Sequence, residues 1–151
     1  MAVQRDTPYS SFNFLVDFAT GDVNSVRAGF QEVSGMNIEV TSADYRNGNS
    51  KTNHPIKVNG VYRVGDVTFK RGLIGATDLY EWVDAIRTGT RRVIPTVTVS
   101  LLDEAHEGPA LQWVLLNARA IKWTGPSLNA KTGTDVAIEE LVLSIEDLVV
   151  Q

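Results

Sequence analysis

Residues 93–102 read Val93-Ile94-Pro95-Thr96-Val97-Thr98-Val99-Ser100-Leu101-Leu102, and they alternate. Val97, Val99 and Leu101 fall on one side of an extended chain, Thr96, Thr98 and Ser100 on the other. Such a strand covers an apolar core with one face and meets water with the other. That water lies either outside a globule or inside a tube.

The same alternation recurs along the chain. Phe12, Phe14, Val16 and Phe18 share one face of an N-terminal strand, and Gly21-Asp22 supplies the turn to a second strand over 26–33. A third strand is expected over 36–43, and Val67 and Phe69 mark another over 64–70. One segment has helical period instead. Thr77 is placed to cap it, Asp78 and Glu81 occupy its first turn, and Arg87 stands in its last, before Gly89. Leu79, Trp82, Val83 and Ile86 form its apolar stripe. Residues 110–123 fit either state, because Leu111, Val114, Leu115 and Ala118 also have helical spacing; the reading taken is a strand near 118–123. The final segment, 135–150, reads as one long strand whose alternation slips between Ile138 and Leu141, the mark of a bulge. The expected fold is mainly β with one packed α-helix, in a single domain over 1–151.

Tyr45–Tyr62, YRNGNSKTNHPIKVNGVY, departs from this pattern. It holds four asparagines, no acid, and the basic residues Arg46, Lys51 and Lys57. The pairs Asn47-Gly48, His54-Pro55 and Asn59-Gly60 read as turns or breakers. A disordered insertion, a lid, or an arm toward another molecule would each have this composition.

Composition removes several function classes. A net charge of −4 argues against a surface that grips phosphate backbones broadly. With no cysteine there are no disulfides, thiolate metal sites or cysteine nucleophiles. The N-terminus lacks the apolar core of a secretion signal, and no run is long enough to span a bilayer, so the chain is expected to be made and assembled in the cytoplasm and to stay soluble until something else moves it.

Three motifs invite chemistry and fail. Asp103-Glu104-Ala105-His106 spells a helicase tetrapeptide without the phosphate-binding loop that chemistry needs, and adjacent turn residues seldom converge on one metal. Lys131-Thr132-Gly133-Thr134 echoes phosphorylated ATPases, but Ala130 stands where the aspartate must be. Glu139 and Glu140 point to opposite faces of a strand and cannot work as an acid–base pair. No enzyme activity, metal or cofactor is expected. The pairs Lys70-Arg71 and Arg91-Arg92 read either as solubilising charge or as a partner contact.

Charge is laid out unevenly. No basic residue follows Lys131, whereas Asp135, Glu139, Glu140, Glu146 and Asp147 do. An acidic end and the basic 45–62 arm fit simple surface charge, or a head-to-tail pairing of identical copies that closes into rings or extends into filaments.

Several segments, taken in order, resemble the tail tube proteins of contractile phages and of phage-tail-like contractile injection systems. They are Tyr9–Phe18, Phe30–Met36, Tyr45–Gly48, Val67–Gly72, Leu79–Trp82, Leu101–Glu104 and Asn117–Pro126. The C-terminus departs from the family pattern, with Ser144–Leu148 where a His-Glu-Gly-Leu-like tail is usual. The resemblance implies hexameric rings stacked into a hollow tube, with strands of six copies forming a continuous inner barrel and the helix outside. It further implies contacts with a surrounding sheath and with baseplate, initiator and terminator proteins, and a DNA or protein cargo in the bore. In that frame Tyr45, Arg46, Asn47, Lys51, His54 and Lys57 reach a neighbouring subunit, and Thr96, Thr98 and Ser100 face the bore, unless the opposite face does. Glu81, Asp84 and Arg87 meet the sheath. A tube initiator at the baseplate and a monomeric binding or effector module are the competing roles.

Overall fold

In a computed structural model the protein is described over residues 2–21, 24–90, 93–131 and 133–151. Its strands are β1 (Phe14–Asp17), β2 (Phe30–Ser34), β3 (Ile38–Tyr45), β4 (Ile56–Val64), β5 (Val67–Gly72), β6 (Ile94–Leu102), β7 (Pro109–Thr124), β8 (Ile138–Ser144) and β9 (Asp147–Val150), with one helix, α1 (Asp78–Arg87). Seven strands form one antiparallel sheet in the order β1-β6-β7-β8-β5-β2, and β9 pairs with β7.

β7 organises the whole. Its N-terminal stretch pairs with β6 and β9, and from Arg119 onward it pairs with β8. The transfer occurs at Asn117, whose φ of 52° is left-handed, a region that asparagine tolerates better than most residues. Asn117 Nδ2 donates to Glu146 Oε2 at 2.7 Å, and the Glu146 amide donates to the Leu116 carbonyl at 3.0 Å. The corner is thus pinned by the link between β8 and β9. The segment read as ambiguous between helix and strand is one bent strand.

The curled sheet wraps a core of Val16, Phe30, Val67, Phe69, Val97, Val99, Leu115, Leu141 and Leu143, each at most 8% exposed. α1 closes it with Leu79 and Trp82. Phe18 meets Phe30, Phe69 and Trp82 at ring-centroid distances of 5.4, 5.5 and 6.0 Å. The two sheet edges, β1 and β2, do not pair with each other, and an apolar groove lies between them.

Some sequence expectations change. Phe12 is 70% exposed and lies outside β1, because the chain straightens only at Phe14. Residues 26–28 form a 3₁₀ turn before β2 rather than the start of a strand. The turn read at Gly21-Asp22, the doublet Arg91-Arg92 and the loop at Lys131-Thr132 fall wholly or partly outside the described residues. The segment 135–150 is two strands, not one with an early bulge. β5 and β8 stay in register from Val67↔Leu143 to Gly72↔Ile138. What looked like a phase slip is a glutamate in a core position: Glu139 shares the buried face with Leu141 and Leu143.

Candidate functional site

The 45–62 region is neither a lid nor an unstructured insertion. Most of it belongs to a hairpin, β3 with β4, that forms a separate two-stranded sheet. Every residue of β3 is exposed, and every residue of β4 except Val64. Asn59-Gly60, read as a turn, is a bulge inside β4: between Val40↔Tyr62 and Ser42↔Asn59, β3 advances two residues and β4 three. A Cβ on Gly60 would lie 2.7 Å from Thr41 Oγ1, so a side chain there would have to displace the hydroxyl that donates to the Val61 carbonyl. At the root, Gly35 has φ 89°, and a Cβ would lie 2.3 Å from the Asp66 carbonyl oxygen.

The basic residues of the arm are largely engaged within it. Lys57 Nζ pairs with Asp44 Oδ1 across the hairpin at 2.5 Å. Arg46 donates to the carbonyls of Ser50 and Thr52, tying the loop together. Tyr45 Oη donates to Asn47 Oδ1 at 2.7 Å, and His54 Nδ1 donates to the Pro55 carbonyl at 3.3 Å. Lys51 is exposed in the loop.

The acidic set does not form one surface. Glu139 is 1% exposed, so it is no surface charge. Its Oε1 accepts from Arg71 Nε and Nη2 at 2.9 and 2.5 Å, and its Oε2 accepts from Trp123 Nε1 at 3.2 Å. Glu140 lies half-buried on the other face, Asp135 is exposed before β8, and Glu146 serves the Asn117 corner with Arg119 at 3.5 Å. Asp147 Oδ1 accepts from the Leu148 amide. Glu139 is therefore corrected from a surface charge to a core residue, while Lys51 and Asp135 are exposed and Glu140 is half-buried.

Sequence reasoning missed Arg71, read as solubilising charge or a partner contact. It is 1% exposed and also pairs with Asp78 Oδ1 at 2.7 Å and donates to the Arg27 carbonyl at 2.8 Å. Burial opposes both charges, yet the hydrogen bonds and mutual attraction prevail: Arg71 is raised above the usual arginine range and the Asp78 carboxyl is held below the usual carboxylate range. β5, β8, α1 and the 3₁₀ turn are locked together by this one side chain.

Thr96, Thr98 and Ser100 stand on the face of the sheet opposite the core, as their alternation requires. They line a shallow concavity of about 580 Å³ together with Leu15, Asp17, Gln112 and Gln151. Gln112 Nε2 donates to Ser100 Oγ at 3.0 Å, and Asp17 Oδ1 accepts from the amides of Thr20 and Gly21. The wall mixes these hydroxyls and amides with Leu15, Leu102, Pro109 and Val114; Ser100 is itself only 9% exposed, and the lining carboxylate, Asp17, is engaged by backbone. Gln112 and Asp17 escaped the sequence reading; the register Asp17↔Thr98 and Ser100↔Gln112 is what brings them in.

On α1, Arg87 pairs with Asp84, which raises its pKa, and donates to Tyr80 Oη at 3.1 Å. Thr77 occupies the N-cap position without a side-chain cap; its hydroxyl donates to Glu81 Oε1 at 2.8 Å instead. At the 103–106 turn, Glu104 takes a forked pair of bonds from Arg5 at 2.7 and 2.8 Å, and its carboxyl is lowered to about 2 by those bonds. Among the described residues no group of three potential ligands could hold a metal, and no helix is long and apolar enough to cross a membrane.

Comparison with known proteins agrees with this architecture. The chain is 26% identical to a chain of the cryo-EM structure of the anti-feeding prophage cap, a tube-terminating cap, covering 100% of this chain and 94% of that one with a TM-score of 0.80. It is also 26% identical to a chain of the sheath–tube complex of an extracellular contractile injection system, PVC, in the extended state, covering 97% and 93% with a TM-score of 0.82. A chain from the sheath/tube terminator of that system matches at 26% identity, covering 97% and 98%, with a TM-score of 0.82. No curated protein matched in sequence. The family described as T4-like virus tail tube protein gp19 matches residues 10–149, and the chain belongs to that family.

Proposed function

We propose that this tail tube protein, a component of a phage tail or tail-like particle, assembles into hexameric rings that stack into a hollow conduit inside a contractile sheath. The carrying observation is the β3–β4 hairpin, an exposed two-stranded sheet separate from the seven-stranded one, in which Val40, Tyr45, Ile56 and Tyr62 are each more than half exposed. A monomer gains little from such a sheet, because a lone hairpin is marginally stable in water. A second copy of the chain gives it a surface to bury.

The same assembly accounts for the hydroxyl face. Six copies side by side present Thr96, Thr98 and Ser100 to a common bore, a wall that holds water and does not bind DNA or protein cargo tightly. Joining copies also removes the free edges of β1 and β2. Glu81, Asp84 and Arg87 on α1 then face outward to the sheath. When the sheath shortens, the tube is driven through a target envelope. The role is structural rather than catalytic. Negative-stain microscopy of the purified protein tests it: rings or hollow rods are expected, and particles that stay monomeric at high concentration would overturn it.

A second reading is favoured by the match to the tube-terminating cap over 100% of this chain. A terminator, or an initiator at the baseplate, forms single rings that do not stack, whereas a tube-body subunit elongates.

A further inference from the structure

The chain holds two Asn-Gly pairs, Asn47-Gly48 and Asn59-Gly60, and all four residues are exposed. An asparagine followed by glycine is the pair most open to cyclisation, because no side chain hinders the glycine nitrogen from closing on the asparagine amide. Exposure does not separate the two pairs here. The backbone does. Asn59 lies inside β4, opposite Ser42 in the ladder, and Gly60 is crowded by the Thr41 hydroxyl. Attack would need the Gly60 nitrogen to swing toward the Asn59 side chain, against strand pairing on both sides of the bulge.

Asn47 lies beyond the end of β3, at the start of a turn closed by the Ser50 amide donating to the Asn47 carbonyl at 3.1 Å. Space around Gly48 is open: a Cβ there would meet nothing within 4 Å, and its φ is not left-handed. The Asn47 side chain is also held by a donor, since Tyr45 Oη donates to Asn47 Oδ1 at 2.7 Å. That bond draws electron density from Cγ and stands where negative charge gathers when Cγ is attacked.

We propose that Asn47 is a self-modifying site, at which the Gly48 backbone nitrogen closes on the Asn47 side chain with the Tyr45 hydroxyl supporting the oxyanion. The Gly48 nitrogen gives its proton to solvent hydroxide and bonds to Cγ, and the carbonyl electrons move onto Oδ1. Collapse of that intermediate breaks the Cγ–Nδ2 bond, and the nitrogen leaves as ammonia with a proton from water. Water then opens the cyclic imide at either carbonyl, giving aspartate or isoaspartate. The net change is one water in and one ammonia out, with no oxidant and no cofactor. The product carboxylate is the first acid in a segment, 45–62, that has none. It arises beside Arg46, which ties the loop through the Ser50 and Thr52 carbonyls. In the isoaspartate form the backbone runs through the side chain, and the turn loses its original spacing to Ser50. The inference concerns the single subunit and stands apart from the tube reading.

Peptide mass spectrometry tests it, on the full chain kept folded in mildly alkaline buffer and with fragmentation that separates aspartate from isoaspartate. A gain of about 1 Da is expected at Asn47, in both product forms, well before any at Asn59. Tyr45→Phe removes only the hydroxyl and is expected to slow conversion of Asn47 about 3- to 10-fold, the worth of one ordinary hydrogen bond. Asn59 in the same sample reports any general loosening of the hairpin, and its rate is expected to stay put. Gly48→Ala, which the open turn accommodates, is expected to slow Asn47 by about tenfold. In parent protein unfolded in urea the two asparagines are expected to convert at similar rates, so the native difference belongs to the fold. Asn59 converting as fast as Asn47 in the folded chain would overturn the proposal. So would a Tyr45→Phe variant that converts at the parent rate or faster, or the same preference for Asn47 in urea.

Discussion

Arg71 and Glu139 are 68 positions apart in the chain, yet Arg71 Nη2 and Glu139 Oε1 meet at 2.5 Å with side chains 1% and 2% exposed. Removing one member of such a pair leaves an uncompensated charge in the core. Arg71→Met is expected to lose about 3–5 kcal/mol of stability in urea unfolding. Arg71→Met combined with Glu139→Leu should recover much of that loss, since a packed apolar replacement is often neutral. The Trp123 indole left without its acceptor subtracts about 1 kcal/mol from the recovery. A single variant as stable as the parent would refute the pair's role.

Glu104 makes the N-terminal segment sensitive to strong acid. Its carboxyl is lowered to about 2 by the Arg5 bonds, from an ordinary value of 4.5. A depressed carboxyl contributes stability that is fully present above the unfolded value and lost as pH falls through the folded one. Protection of the Val3 amide, which donates to the Ala110 carbonyl, should therefore decline between those two values. In Arg5→Gln the Glu104 titration followed by NMR should move up toward the ordinary carboxylate range; an unchanged titration would count against the fork.

Asn117 sets the corner of β7 through its backbone. A β-branched residue in the left-handed region is disfavoured by roughly 1–2 kcal/mol, and glycine is not. Asn117→Val should be less stable than Asn117→Gly by about that amount, although both lose the bond to Glu146. Equal melting behaviour of the two variants would mean the corner is held by something other than φ.

The hydroxyl wall can be located by labelling, because the chain has no cysteine of its own. In an assembled tube, Thr98→Cys is expected to react with a small maleimide and resist a bulky polymer-linked one. Glu81→Cys, on the helix, is expected to react with both. Free access of the bulky reagent to position 98 would place the bore elsewhere.

Much of this was legible in the alternation of apolar residues. β6 and α1 were readable because each keeps a single period along its length. β7 was not, and the reason is local. Trp113 and Leu115 point to the core at odd positions, Ala118 and Ala120 at even ones, and the left-handed Asn117 between them makes the switch. A step of three between Leu115 and Ala118 imitates a helix. Glu139 hid for a different reason: a charged residue reads as surface unless its partner is known, and Arg71 is far away in sequence. In the hairpin Ile56, Val58, Tyr62 and Val64 keep even positions, so the change of face at the Gly60 bulge left no trace in the sequence, and the pairs Asn47-Gly48, His54-Pro55 and Asn59-Gly60 read as turns instead.

Because β7 runs unbroken from the β6–β9 side of the core to the β8–β5 side, the two layers are joined by covalent chain as well as by packed faces. Sliding one layer over the other would have to stretch that shared backbone, not merely separate a pair of greasy surfaces. Pulled along the tube axis, a subunit should therefore resist as a stiff block and fail in one abrupt rupture, which single-molecule force spectroscopy would register as one peak.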